Sequence, residues 1–287
     1  RCSLYDNWNF IIGRWWMDCK IVKIFIYFSI IVFSIQNSYA IEFKGKFEQG
    51  SFIIGKTDPN SIVKIDKKIV KVSDDGFFVF GLGRDRKNDV LIQVLRDGKL
   101  EAFERKVFKR EYKIQRIDGL PEKKVTPPKE VYERIKRENK LIGDARSIDS
   151  DLTFFTKKFV NPLDKAIVTG VYGSQRILNG KPKWPHYGVD FAAKEGTKIK
   201  AMLDGTATMV ESDLFYTGGT LIFDHGHGIS TLYMHMKDIY VTKSQKVKQG
   251  EIIGTVGSTG RSTGPHLDVR LNWFNIRLDP SNVLDLN

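Results

Sequence analysis

From Ile41 onward the chain is cut into short apolar or alternating runs, each closed by Gly, Asp, Asn or Pro. That punctuation limits the fold more than any other feature. Runs of this length, rich in Val, Ile, Phe and Thr, suit strands and are too short for stable helices. In the first half, Ser51–Gly55, Ser61–Ile65, Ile69–Val72, Phe77–Phe80 and Val90–Leu95 read as strands, with Asp74-Asp75-Gly76 and Asp97-Gly98 as turns. In the second half, Lys198–Leu203, Thr206–Glu211, Thr220–Phe223, Ile229–Met236 and Glu251–Val256 do the same. Only Lys129–Ala145 carries apolar residues at helical spacing, with Val131, Ile135 and Ile142 on one side and Pro128 suited to the first turn. The expected fold is therefore mainly β. A small β-sandwich over 41–119 leads through a helical linker over 120–160, broken by Pro121, Pro127 and Pro128, into an antiparallel β-sheet domain over 161–287.

The first 40 residues read differently. Met17-Asp18-Cys19-Lys20 opens a short basic region, Ile24 to Ile35 is apolar, and Ser38-Tyr39-Ala40 has the small-x-small form of a signal-peptidase site. The apolar run is shorter than the ~20 residues that span a bilayer as a helix. Residues 17–40 are expected to be a cleaved signal peptide, and residues 1–16, which begin with Arg1, upstream translation or a gene-model artefact. An uncleaved anchor is the other reading of the same run. Both cysteines, Cys2 and Cys19, precede the cleavage point, so the exported chain has no disulfide, thiolate nucleophile or thiolate-held metal. Of 46 Lys/Arg and 34 Asp/Glu, four and two fall before Ile41, which leaves a net charge of +10. Export removes nucleic acid from the expected partners, and the destination expected is the periplasm of a Gram-negative bacterium. Six Lys/Arg alternate with other residues between Arg105 and Arg116. A lysine-guarded edge strand accounts for them more simply than a grip on an anionic polymer.

The chain has five histidines, and three of them, His186, His235 and His266, are the candidates for a site. His266 and Asp268 are two apart. In a strand they share one face, ~6.6 Å apart along it. Taken alone, they are better explained as two solvent-facing polar groups. His186 and Asp190 would lie ~13 Å apart if extended, and Gly188 between them permits a bend. His235 ends an alternating run and would sit on the polar face of its strand. His225 and His227 belong to Asp224-His225-Gly226-His227-Gly228, which reads as a hairpin turn. Imidazole and carboxylate together, with no thiol available, point to a catalytic metal site of the zinc type.

Several ordered segments make the pattern specific. They are Tyr172-Gly173 with Arg176, His186-Tyr187-Gly188-Val189-Asp190-Phe191, Asp224-His225-Gly226, and Ser230 to His235. Val247-Lys248-Gln249-Gly250, Gly254, Gly257-Ser258-Thr259-Gly260 and Thr263-Gly264-Pro265-His266-Leu267 follow. From about Lys165 to Leu284 the chain resembles the lysostaphin-type (LytM-like) zinc metallopeptidases of bacterial cell walls. The resemblance implies one Zn2+ held by His186, Asp190 and the residue at position 268, and a set with two carboxylates would favour a harder metal such as manganese more than the usual one does. The resemblance also implies catalytic histidines at His235 and His266. The family's third ligand is the second histidine of an HxH pair, and Asp268 stands there in this chain. A carboxylate can ligate zinc, though its side chain is shorter by roughly one to two ångström. Two carboxylates would neutralise the ion and weaken its Lewis acidity. The implied function is that of an exported metalloendopeptidase cutting peptidoglycan peptide cross-links with metal-activated water. The alternative is a catalytically silent cell-wall binding module or regulator whose partner is a cell-wall amidase.

Overall fold

The computed structural model describes residues 41–119, 122–165 and 167–286. The expected signal peptide over 17–40, residues 1–16 and the linker proline Pro121 lie outside the described residues.

Two antiparallel sheets form the N-terminal part. Strands β1 (Glu42–Lys44), β2 (Phe52–Lys56) and β5 (Phe77–Gly81) lie in the order β1-β2-β5. Strands β3 (Ile62–Ile65), β4 (Lys68–Val70), β6 (Val90–Arg96) and β7 (Lys99–Arg105) lie in the order β4-β3-β6-β7. Alternation does its usual work on the second sheet: Val63, Ile65, Val90, Ile92 and Val94 are buried in one cluster with Ile53, Phe78 and Phe80. Asp97 and Gly98 both have positive φ, 48° and 73°, as a two-residue turn between twisted strands requires.

The basic stretch from Arg105 to Arg116 is not one edge strand. Arg105 ends β7, Phe108 makes an isolated bridge to Glu48, and Ile114–Ile117 forms β8. This β8 pairs in parallel with β10 (Gln175–Leu178), about sixty residues further along the chain. A short helix α1 (Glu122–Val125) follows, and a 3-10 turn over Lys129–Val131 leads into α2 (Tyr132–Arg146). Val131 therefore precedes the helix instead of starting its apolar stripe. The helix docks through Ile142 and Ala145 against Met209, Leu214, Ile222 and Leu232. It is pinned by Glu138, whose carboxylate accepts from Arg134 at 2.6 Å and from the Phe215 backbone N–H at 2.8 Å.

The C-terminal part is a ten-stranded sheet, all of it antiparallel. Its strands are β9 (Ile167–Gly170), β12 (Val189–Ala192), β13 (Lys198–Lys200), β14 (Gly205–Leu214), β15 (Gly218–Gly226), β16 (Ile229–Ile239), β17 (Lys246–Val247), β18 (Ile252–Val256), β19 (His266–Trp273) and β20 (Ile276–Leu278). The main path runs β17-β14-β15-β16-β19-β12-β9, while β18 joins β16 to β13 and β20 flanks β19. The remaining strand β11 (Lys181–Pro182) forms a hairpin with β10. Strand β15 is buried on both faces, which alternation does not foreshadow. Leu221 and Phe223 enter the main core with Tyr233, and Ile222 faces the other way, under α2. The core is continuous with that of the N-terminal sheets. Phe52 meets Phe159 edge-on at 6.2 Å, and Gly81 leaves no room for a Cβ beside Leu278. Among the described residues no helix is long and apolar enough to cross a membrane.

Candidate metal centre

Strands β12 and β19 are antiparallel neighbours, and their register sets Asp190 directly opposite Asp268. Cross-strand partners of this kind hold their side chains ~5 Å apart at Cβ. His186 enters from the segment before β12, which is fixed by two backbone hydrogen bonds: His186 N–H donates to the Ser174 carbonyl, and Gly173 N–H to the His186 carbonyl. His186 Nε2 then lies 3.1 Å from Asp190 Oδ1 and 3.4 Å from Asp268 Oδ2. One donor atom from each residue falls within 4.8 Å of the others, and all three side chains are buried.

Gly188 assists, although not by a bend in the left-handed region, since its φ is not positive. A Cβ there would sit 2.3 Å from Asp268 Oδ1, so its hydrogen makes room for the carboxylate. Gly170 on β9 does the same for Asp190, whose Oδ2 would be 2.2 Å from an added Cβ.

The two remaining site histidines converge on the cluster. His266 Nε2 is 4.0 Å from Asp190 Oδ1, and the His266 and His235 rings lie 4.6 Å apart, centroid to centroid. In all three histidines Nδ1 faces a backbone carbonyl: Val171 for His186 (3.3 Å), Thr259 for His235 (2.8 Å) and Gly264 for His266 (2.8 Å). A carbonyl can only accept, so Nδ1 carries a proton in each, and in the neutral ring Nε2 is the nitrogen with the lone pair. His235 does not sit on a polar strand face, because residues 229–236 are all buried. Its backbone instead turns left-handed, φ 61°, next to a break in the β15–β16 register. That break aims the ring at His266.

Charge shapes the cluster. Burial pushes the His186 pKa down, but the carboxylates of Asp268 and Asp190 outweigh it and leave it raised. Burial alone would raise the Asp268 carboxyl, yet Arg270 and His186 hold it well below the usual carboxylate range. Burial keeps His235 below the usual imidazole value, so it is neutral at neutral pH. Two arginines complete the arrangement: Arg176 Nη2 donates to Asp190 Oδ2 at 3.0 Å, and Arg270 donates to both oxygens of Asp268 at 3.0 and 3.3 Å. Arg176 is itself propped by Gln115 on β8, at 3.4 Å. The role of Arg270 was missed in the sequence, although its i+2 spacing from Asp268 on a strand was the available signal.

The donor set fits a divalent cation. His186 Nε2 and Asp190 Oδ1 are buried and have no hydrogen-bond partner while the ring is neutral, a costly arrangement that either a proton on His186 or a bound cation relieves. Tetrahedral zinc with ligands at ~2.0–2.1 Å needs donor atoms about 3.3 Å apart. The 3.1 and 3.4 Å separations from His186 meet that requirement.

His225 and His227 stand apart. His227 occupies the turn, with φ 50°, and lies against Phe155 at 4.9 Å. His225 belongs to β15 and not to the turn. It is fully buried, with Nδ1 donating to the Asp204 carbonyl (2.7 Å) and Nε2 paired with Thr231 Oγ1 (2.8 Å). Burial pushes its pKa down to about 4 from 6.5. The unfolded chain therefore takes up a proton below pH 6.5 that the folded chain refuses until about pH 4, and stability falls across that window as pH drops. The expected loss is about 3 kcal/mol. Urea unfolding of the wild type and of His225→Gln across this range checks it. The variant should show a flatter pH dependence, and equal slopes would remove His225 as the cause.

Residues 184–280 match the model of peptidase family M23. Over 103 residues the chain is 40% identical to the peptidoglycan DD-endopeptidase ShyA of Vibrio cholerae, a match covering 36% of this chain and 23% of that protein. A candidate peptidase M23 from Pseudomonas aeruginosa has the same fold, with 24% identity and a TM-score of 0.64 over 84% of this chain and 96% of that one. The catalytic domain of the antimicrobial peptidase lysostaphin from Staphylococcus simulans is 31% identical, with a TM-score of 0.37, over 40% of this chain and 90% of that one. The chain spans between 20% and 40% of the length of the curated relatives it matches.

Proposed function

We propose that this chain, whose residues 184–280 match peptidase family M23, is an exported, metal-dependent endopeptidase that hydrolyses peptide cross-links in peptidoglycan. The observation that carries the reading is the pair of orphaned, buried atoms, His186 Nε2 and Asp190 Oδ1, facing each other at 3.1 Å. With Asp268 they would hold one cation, zinc by the donor spacing and manganese as a harder alternative. When bound, the cation supplies Lewis acidity toward a carbonyl and acidifies water.

The protein's own groups do the rest. His266 offers a lone pair at Nε2 beside the cluster, while its Nδ1 proton is committed to Gly264, so it can take a proton at Nε2 and return it to the leaving amine. His235, neutral and fixed by Thr259, offers the same atom one ring away. Once protonated there, either ring becomes a donor to the oxyanion. Export is proposed from residues 17–40 and the absence of cysteine after them, and the periplasm is the proposed destination.

Digestion of purified peptidoglycan with the zinc-loaded protein tests the reading. Cross-linked muropeptides should fall to uncross-linked ones, with new amino groups and no new reducing sugar. An inert wild type with zinc and with manganese overturns it. Stimulation of a cell-wall amidase by that inert protein would make it a regulator.

A further inference from the structure

In most respects the exchange of an imidazole for Asp268 is a change of charge. A neutral ligand is replaced by an anion, which should blunt the cation it helps to hold. The structure contains the counterweight. Arg270 lies two residues further along β19 and therefore on the same face. Its Nη2 donates to Asp268 Oδ2 at 3.0 Å and its Nε to Oδ1 at 3.3 Å, so the guanidinium grips both oxygens of a buried carboxylate. Such two-point pairs are the strong, orientation-fixing kind. The grip leaves room for a cation: Oδ2 remains 3.4 Å from His186 Nε2, and a carboxylate oxygen has a second lone pair.

We infer that Asp268 and Arg270 form one electrically neutral ligand unit that takes the place of an imidazole, with the oxygen as the donor and the guanidinium as the charge correction. The unit keeps the net charge of the cluster where a His would have kept it. It also supplies rigidity that a lone carboxylate on a strand would lack. Arg270 is a positioning residue in this account, acting on the cation through Asp268. The inference rests on the metal-binding reading above and deepens it.

Zinc affinity, measured by competition with a chromogenic chelator at one neutral pH, tests the unit without any activity assay. Four proteins are compared: wild type, Arg270→Met, Asp268→His, and Asp268→His combined with Arg270→Met. Methionine keeps much of the arginine stem's packing and removes its charge. Arg270→Met, which leaves Asp268 uncompensated, should bind zinc at least about tenfold more tightly. Asp268→His alone strands a guanidinium beside the cation and should bind at least about tenfold more weakly. The double variant exchanges neutral for neutral and should return to within about threefold of wild type. Affinities for Arg270→Met at or below the wild-type value overturn the unit, as does equal affinity of Asp268→His and the double variant. If thermal melts show Arg270→Met to be unfolded, that last comparison decides alone. A wild type that binds no zinc overturns the metal reading itself. A wild type that binds zinc, with a flat series around it, overturns only the neutral unit.

Discussion

Replacing His266 by alanine should cost the protein roughly 10²- to 10⁴-fold in hydrolysis rate while leaving the cation in place. His266 Nε2 is 4.0 Å from Asp190 Oδ1, nearer to the cluster than a solvent group and further than a donor that shares a cation with it. Its Nδ1 is held by Gly264 and Ser262, so the ring cannot rotate to exchange its two nitrogens without giving up both contacts. A ring held in this way, with a lone pair facing the cluster, suits proton transfer. The neighbouring His235, 4.6 Å away ring to ring, limits the damage only if it can take over the same proton. Its backbone sits in a left-handed kink and its Nδ1 is tied to Thr259, so it is poorly placed to move. Rates on a cross-linked muropeptide, with metal content measured on the same samples, check the expectation. Loss of metal together with rate would make His266 a ligand, and an unchanged rate would remove it from the chemistry.

The legibility of this site in the sequence follows from how its parts are built. His186, Asp190, His235, His266 and Asp268 lie in compact segments with fixed neighbours, so the segments could be recognised even though their meeting point is set by the register of β12 against β19. That register is a long-range pairing that local alternation cannot give. The same holds for β8 and β10, whose parallel pairing across about sixty residues was hidden inside a charged stretch that read as a guarded edge. Burial misled in the opposite direction on β16. Alternating polar residues there suggested an exposed face, but β15, β18 and β19 flank the strand and residues 229–236 are all buried. Gly188 was read for its flexibility, yet what matters is the missing Cβ, because a carboxylate from another strand occupies that space. Arg270 shows the same limit. Its spacing from Asp268 was visible, whereas the burial that makes their pairing consequential was not.

The proposed binding of one cation by His186, Asp190 and Asp268 is tested most cleanly at Asp190. Asp190 Oδ1 faces His186 Nε2 with no other partner, while its Oδ2 is already engaged by Arg176. Alanine at 190 removes the oxygen donor nearest to His186 and leaves two ligands for an ion that wants three protein groups plus water. Zinc affinity should fall by more than the ~10–100-fold typical of changes behind the ligands. The variant also leaves Arg176 without its carboxylate, so a thermal melt of the metal-free proteins must accompany the comparison to show that the fold survives. The decisive measurement is elemental analysis of wild type and Asp190→Ala after chelator treatment, incubation with excess zinc and removal of unbound metal. One zinc per wild-type chain and essentially none in a folded Asp190→Ala is the expected result. Equal zinc in both proteins, or none in the wild type, would contradict it.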